Sequence, residues 1–518
     1  MMRARPLAGQ RISDRMIFVQ FILLWLALGA LQLYELDKRP PTKSEVDSIL
    51  LVRSEMAETL AACGEQHEAP LFALACSLFK MQSLPQVFEA RLLSVVFGWL
   101  TFLGAWLLVR RTAPRANYAV IFAVLMATSP FWIEMSRMAN GQSLFACCAI
   151  FSTLLIFDCL EAPRLDRWLA YIIFATATMY AGILGITVIA GHAAAGIFRK
   201  HWTPSHKTYG RLLVMFISIA IVLAASLPCL PIYLGKINES ITNHINTAGR
   251  IRYALVSTLY AIYMWMVGDS IPPWNALRSV MFIQPALLDG AFGLVRILEH
   301  HHRSLRSVFI CAFTAFIAAM AILTFLLRSN ATLETPMQLA FIYPFFALTA
   351  AYGLGVTNRW LAIPLLAVLL AIHGVSLRNY YQQREYTNWA YAIPVEDTLT
   401  AIREREDAEG LLVLDESVLG HFDRLYQGPM NVWLITESAE GIDRLTQDVS
   451  QYARVIFLRP EGIRAYDDLE DDLLKEFSRK ERLSFLREDA VTNELKMFFT
   501  GKAVPVDKYS LEVYERKP

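Results

Sequence analysis

Residues 16–34, MIFVQFILLWLALGALQLY, run into residues 33–53, LYELDKRPPTKSEVDSILLVR, and the step between them decides how the chain is read. The first stretch is uncharged and apolar, and at about 1.5 Å per residue it is long enough to cross the ~30 Å hydrocarbon core of a bilayer. The second is polar, holds a proline pair and turns amphipathic. A cleaved signal peptide would end in a small-residue cleavage site. None follows here and many further apolar runs do, so residues 16–34 read as a retained helix.

Composition agrees. Of 518 residues 55% are hydrophobic and 18% charged, with mean hydropathy +0.37, whereas a soluble chain is nearer a quarter charged. The net charge of +1, from 48 Lys/Arg against 47 Asp/Glu, excludes a polybasic nucleic-acid binder. That near-zero value conceals an asymmetry. Residues 381–518 hold 18 Lys/Arg and 28 Asp/Glu, a net of −10, and residues 1–380 hold 30 and 19, a net of +11.

Apolar runs near 16–34, 92–109, 117–135, 143–160, 167–181, 184–198, 212–234, 279–297, 305–327, 337–356 and 359–377 read as transmembrane helices, eleven in all. Short loops rich in Lys and Arg face the cytoplasm. Arg3, Arg5, Arg11 and Arg15, then Arg110, Arg111 and Arg115, Arg164 and Arg167, Arg199, Lys200, Lys207 and Arg211, and Arg303 and Arg306 fall on alternate sides consistent with a cytoplasmic N-terminus. An odd number of crossings then places the acidic tail outside. Residues 252–267, RYALVSTLYAIYMWMV, are too short to count as a span; Tyr253, Tyr260, Tyr263 and Trp265 suit an interfacial or re-entrant helix.

The outer loop, residues 35–91, carries two apolar stretches, near 45–60 and 70–82, that read as surface helices joined by GEQHEAP, with Pro70 in the first turn of the second. Cys63 and Cys76 share this loop and form either packing thiols or, on an oxidising side, a disulfide. The other five cysteines sit in apolar runs as packing residues. From about residue 395 the apolar runs LLVLD (411–415), NVWLIT (431–436) and RVIFL (454–458) alternate with charged amphipathic stretches, the pattern of a small α/β domain with a partly parallel sheet. No GxGxxG or P-loop accompanies it.

Several pieces of the chain resemble one family. LYELDKRPPTKSEVDSILLVR is similar to the stretch in which an Asp-Glu pair follows the first span of the GT-C superfamily of polyprenyl-phosphate-sugar-dependent glycosyltransferases, which includes protein O-mannosyltransferases and aminoarabinose transferases. HEAPLFALACSLF resembles its His-Pro-Pro-Leu-Tyr element, keeping His67 and Pro70. ARLLSVVFGWLTFLGAWLLVRR, ATSPFWIEMSRMANGQSLFACCAI, MYAGILG, GDSIPPW and TPMQLAFIYPFFALTAAYGLG extend the likeness over about residues 16–380. It implies a GT-C-like transmembrane domain, 1–380, followed by a soluble acidic domain, 381–518. The chain departs from the family at two points. Ser44 stands where the family has its first Asp, the expected base, with Glu45 following; and Arg137-Met-Ala-Asn140 stands where the family often has Gln-Glu-Ala-Arg, so the second acidic site is missing.

Transfer of a sugar from a lipid phosphate needs a base on the acceptor and positive charge, or a divalent metal, on the leaving phosphate. A serine cannot serve as that base without one of its own. Glu45 and Asp47 are the candidate bases, alternatively the wet face of a surface helix. Ser44, His67 and Glu68 lie in the same loop. Among the outer cations Arg91, Arg137, Lys236, Arg250, Arg252, Arg278 and Arg328, arginine forks best onto phosphate, each serving alternatively as a headgroup anchor; Arg137, Lys236 and Arg252 are retained as substrate-binding candidates. Intramembrane Asp289, with Arg296 on the same face about 10 Å away, reads as a partner for a neighbouring helix. His192 and His373 read as packed histidines, and His300, His301 and His302 as a helix cap. Asn238 and Asn330 begin glycosylation sequons, which matter only in a eukaryote.

The expectation is a polytopic α-helical membrane protein of about eleven transmembrane helices with an extracytoplasmic α/β domain. It moves a sugar from a polyprenyl-phosphate donor to an acceptor the sequence does not identify, with membrane lipids around it and no certain cofactor. Two alternatives stand beside it: a non-catalytic GT-C-like scaffold, favoured by Ser44, and a transporter or lipid flippase, prompted by Asp289 and His192.

Overall fold

The computed structural model describes residues 8–37, 43–53, 55–81, 87–112, 116–202, 206–241, 247–268, 303–326, 335–382, 395–415, 426, 428–435, 449–460, 469–470, 473–486 and 508–517. The expected span at 279–297, with Asp289 and Arg296, lies outside the described residues, as do Arg278, His300–His302, Arg328, Asn330 and most of GDSIPPW. The chain divides into two compact units, one of Met1–Lys38 with Asp47–Tyr381 and one of Arg39–Val46 with Gln382–Pro518.

The first unit is helical. α1 (Ala8–Leu33) leads to three short helices, α2 (Lys43–Leu50), α3 (Met56–Glu65) and α4 (Pro70–Leu78), then α5 (Val87–Thr112), α6 (Ala116–Thr128), α7 (Pro130–Ser136), α8 (Gln142–Glu161), α9 (Leu165–Ala181) and α10 (Gly185–Trp202). α11 (His206–Ala225), α12 (Leu230–Ile241), α13 (Thr247–Val267), α14 (Arg303–Ala321), α15 (Thr335–Gln338), α16 (Tyr343–Val356) and α17 (Arg359–Tyr381) follow. Among the described residues five helices are long and apolar enough to cross a membrane, or seven if each of two bent pairs is one span.

The bends explain part of the gap between this and the expected eleven. The run at 117–135 breaks by 60° between α6 and α7, because Pro130 has no N–H for a continuous helix and begins a new one, which Ser129 caps by accepting from the Trp132 N–H at 3.1 Å. The run at 212–234 bends by 42° between α11 and α12, where Pro228 falls. The stretches at 184–198 and 337–356 form helices shorter than a full span.

One expectation is corrected. The stretch near 45–60 is two helices: Leu51–Arg53 and Glu55 are not helical, and the Arg53 N–H bonds to Thr59 Oγ1 at 2.9 Å while Ser77 Oγ donates to Arg53 O at 3.1 Å. In α13, Tyr260, Tyr263 and Trp265 are buried in the main core, while Ile251, Leu255 and Leu259 face outward.

The core of this unit runs through α5, α6, α8, α10, α14 and α16, with Phe102, Phe122, Trp132, Tyr171 and Phe341 almost wholly enclosed. Buried hydroxyls satisfy its two histidines: His192 lies 3.0 Å from Thr153 Oγ1 and 3.3 Å from Tyr171 OH, and His373 lies 2.9 Å from Thr128 Oγ1. Both therefore hold helices together, as expected of packed histidines. A separate cluster joins α3 and α4 to α5 and α8 through Cys63, Phe72, Cys76, Ala90, Leu144 and Cys148. Cys63 and Cys76 are free, buried thiols; burial pushes the first up to about 11 and the second to about 12.

The second unit holds α18 (Val395–Arg403) and a five-stranded sheet of order β2-β1-β3-β5-β4. Its strands are β1 (Gly410–Asp415), β2 (Asn431–Ile435), β3 (Arg454–Pro460), β4 (Phe477–Leu486) and β5 (Lys508–Arg516). β1 pairs parallel with β2 and β3, and β5 antiparallel with β3 and β4. Leu412 and Leu414 pack into one cluster, Leu411 and Val413 into another, so both faces are covered. That is why these strands read as continuous apolar runs.

Candidate functional site: a buried arginine where α1 and α17 end

α1 stops at Leu33 and the chain leaves it through Glu35, whose φ of 50° is left-handed. Such a conformation is uncommon for a residue with a Cβ, and it turns two successive carbonyls away from the helix. Arg137 Nη2 donates to Glu35 O at 2.9 Å and Arg91 Nη1 to Leu36 O at 3.0 Å. Both arginines are 4% exposed. The carbonyl end of a helix favours cations, which supplies part of the reason two guanidinium groups tolerate this burial.

Arg137 ends α7, and the close approach of α7 to α5 and α1 fixes its position. Gly98 of α5 faces Ser136, whose Cβ would lie 2.6 Å from any Cβ placed there. Gln32 Nε2 donates to Ser136 Oγ, and Ser136 Oγ donates back to Trp132 O at 2.7 Å. On the far side Tyr380 and Tyr381, the last residues of α17, bring their rings to 5.2 and 5.0 Å from the Arg137 guanidinium carbon. The Tyr381 hydroxyl donates to Leu31 O in α1, and its ring meets Tyr34 edge-on at 5.3 Å.

Arg137 is under-satisfied. Its Nε and Nη1, three of the five N–H donors of a guanidinium, are buried without a hydrogen-bond partner, and among the described residues no carboxylate lies within ion-pair distance. A buried charge without a counter-ion costs several kcal/mol.

The other candidates fall into two groups. His67, Glu68 and Lys236 come together. His67 has a left-handed φ of 53° at the turn between α3 and α4, its imidazole lies against Gly235 of α12, and Lys236 Nζ contacts Glu68 Oε1 at 2.7 Å. This pair is half-exposed. Ser44, Glu45 and Asp47 share α2, where residues two apart point to different faces. Glu45 is buried, at 1% exposure, while Asp47 is half-buried and Ser44 exposed. Glu45 groups with the second compact unit and Asp47 with the first. Arg252 is exposed on α13. Among the described residues no group of three or more His, Cys, Asp or Glu side chains could hold a metal ion, and Arg137 supplies cationic charge of its own.

Two features escaped the sequence reading. Glu134, one helical turn before Arg137, is a carboxylate at 1% exposure inside the bent span; the rule that singles out charged residues in apolar runs applies to it as much as to Asp289. Tyr380 and Tyr381 had no local signal, because what they touch lies far away in the chain.

Residues 67–225 match the family model "Dolichyl-phosphate-mannose-protein mannosyltransferase". No curated protein matches the sequence. ArnT from Cupriavidus metallidurans in the apo state has a similar structure, with a TM-score of 0.54 at 12% identity, covering 96% of this chain and 98% of that one. The same protein bound to undecaprenyl phosphate gives 0.47 at 11% identity, covering 96% and 97%. The family match lies inside the helical unit and the likeness to apo ArnT runs almost end to end, so the chain has an ArnT-like fold, with at least five helices among the described residues long and apolar enough to cross a membrane.

Proposed function

We propose that the protein is a membrane glycosyltransferase that moves a sugar from a polyprenyl phosphate to an extracytoplasmic acceptor. The observation that carries this reading is Arg137, a guanidinium at 4% exposure with two nitrogens unengaged and no carboxylate paired to it among the described residues. In the reaction an acceptor hydroxyl attacks the anomeric carbon while the bond from that carbon to the phosphate oxygen breaks. The phosphate leaves with the bonding electron pair, and the acceptor proton passes to a base. Charge develops on the leaving phosphate oxygen, where a preorganised guanidinium stabilises it most. Glu45 is the proposed base and Asp47 the weaker candidate; Ser44, His67, Glu68, Lys236 and Arg252 are assigned to substrate contacts.

The arginines of the loops after α5, α8 and α10 support a cytoplasmic N-terminus, and with it an extracytoplasmic domain at 381–518. A second reading, a GT-C scaffold without catalysis, is favoured by Ser44, exposed at the position where the family has its Asp. Removal of the protein from its host decides the matter. A polyprenyl-phosphate-linked sugar should accumulate and be identified by mass spectrometry of the lipid extract; an unchanged lipid-linked sugar pool would end the transferase reading. Accumulation reversed by a Glu45→Gln chain would remove Glu45 from the base role.

A further inference from the structure

We infer that Tyr381 is a positioning residue for Arg137, one that holds the guanidinium in place so that its free nitrogens stay available to a phosphate. The inference rests on the reading of Arg137 as the phosphate ligand. An arginine side chain has four rotatable bonds, and fixing it during binding costs affinity that a pre-fixed one retains. A hydrogen bond from Nη2 to Glu35 O at 2.9 Å holds the Arg137 guanidinium on one side. Two rings at 5.0 and 5.2 Å supply the rest, within the distance at which a cation is drawn to an aromatic face.

Tyr381 is itself anchored. Its hydroxyl donates to Leu31 O, its ring packs edge-on against Tyr34 at 5.3 Å and 79°, and it meets Tyr380 edge-on at 5.1 Å and 76°. The same tyrosine therefore ties the end of α17 to the end of α1, beside the Glu35 carbonyl that receives Arg137. An aromatic face is also a support that leaves Nε and Nη1 unused. A carboxylate there would neutralise the guanidinium and compete with the phosphate.

A double-mutant cycle with purified full-length protein in nanodiscs tests this, with undecaprenyl phosphate as the probe and Kd as the readout. Tyr381→Leu should weaken binding about tenfold in the native background, and less than twofold when Arg137 is already Gln. Tyr381→Phe, which keeps the ring, should stay within about threefold of native. A purely structural role would weaken binding by the same factor in both backgrounds, and that result overturns the inference while leaving Arg137 as ligand. No effect of Tyr381→Leu in the native background overturns it too. If Arg137→Gln alone leaves Kd unchanged, the underlying reading fails first and the positioning role goes with it. Should the Leu variant not purify as a folded protein, Tyr380→Leu removes the second ring and supplies the same leg of the cycle, with the same expected factor and the same refuting outcomes.

Discussion

Replacing Arg137 by Gln should move ligand binding and protein stability by very different amounts, which makes it the sharpest test of the site. On the binding side, a hydrogen bond from a charged donor contributes about 1.5–3 kcal/mol. If both unengaged nitrogens bond the phosphate, as the proposed role requires, they contribute about 3–6 kcal/mol, or roughly 100-fold to 10⁴-fold in Kd. On the stability side the terms oppose one another. Gln gives up the charged bond to Glu35 O and two ring contacts, each of the latter about 0.5–2 kcal/mol. It also removes a buried charge that has no carboxylate paired to it among the described residues, and whose desolvation costs several kcal/mol. The net change in stability should lie within about 2 kcal/mol of zero, because gain and loss are of similar size. The assay is a titration of nanodisc-held protein with undecaprenyl phosphate, alongside its melting temperature without ligand. An arginine that merely packs would show the reverse: a large drop in melting temperature with Kd within threefold of native. That outcome would refute the assignment.

The remaining expectations are as specific. Glu45→Gln should lower sugar transfer by at least about 100-fold, the usual contribution of a general base, and Asp47→Asn should lower it by less than threefold; equal effects would contradict the different faces the two occupy on α2. Because the thiols of Cys63 and Cys76 are pushed up to about 11 and 12, iodoacetamide at pH 8 should alkylate them more than about 100-fold more slowly than an unperturbed exposed cysteine. The linked stability has a definite sign: folding raises both values, so their contribution is complete below about pH 9 and is lost as pH rises through 11 to 12, which a pH series of melting temperatures reads out. Gly235→Ala should cost about 1–3 kcal/mol, since a Cβ there would overlap the His67 ring, whereas Glu68→Gln, breaking a half-exposed ion pair, should cost less than about 1 kcal/mol. In the second unit Glu512→Ala should cost about 3–5 kcal/mol, seen as faster limited proteolysis of the full chain, because it leaves Arg459 at 3.3 Å and Arg482 at 3.4 Å facing a lost carboxylate. Equal proteolysis rates would show that the Glu512 network is dispensable.

The sheet shows which strands a sequence discloses. β1, β2 and β3 lie together in its parallel half, and their apolar runs stand out from charged surroundings. β4 and β5 do not. β4, FSRKERLSFL, carries a register irregularity between Arg479 and Glu481, which spoils its alternation. In β5 every residue from Ser510 to Tyr514 is buried, including Glu512, which accepts from Ser510 Oγ at 3.1 Å and from the Tyr514 hydroxyl. A buried glutamate reads as a surface residue until the arginines that neutralise it are located, and Arg459 lies 53 residues earlier.

The same asymmetry governs the site. Arg137 was visible because a charge follows an apolar run at a turn where the family places functional residues. What makes it chemically unusual was not visible, since its satisfaction depends on partners at Glu35, 102 residues before it, and on Tyr380 and Tyr381 at the end of α17. The carboxylates show the limit from the other side. Glu45 and Asp47 lie two residues apart and both carry carboxylates, yet the helical repeat separates their faces, and of the two only Glu45 is buried. Spacing alone could have distinguished them, given that residues 43–50 form a helix. Beside Ser44, which stands where the resembled family has an Asp, Glu45 is the carboxylate that α2 withdraws from water. Whether that burial serves catalysis or packing is the question the Glu45→Gln transfer assay decides.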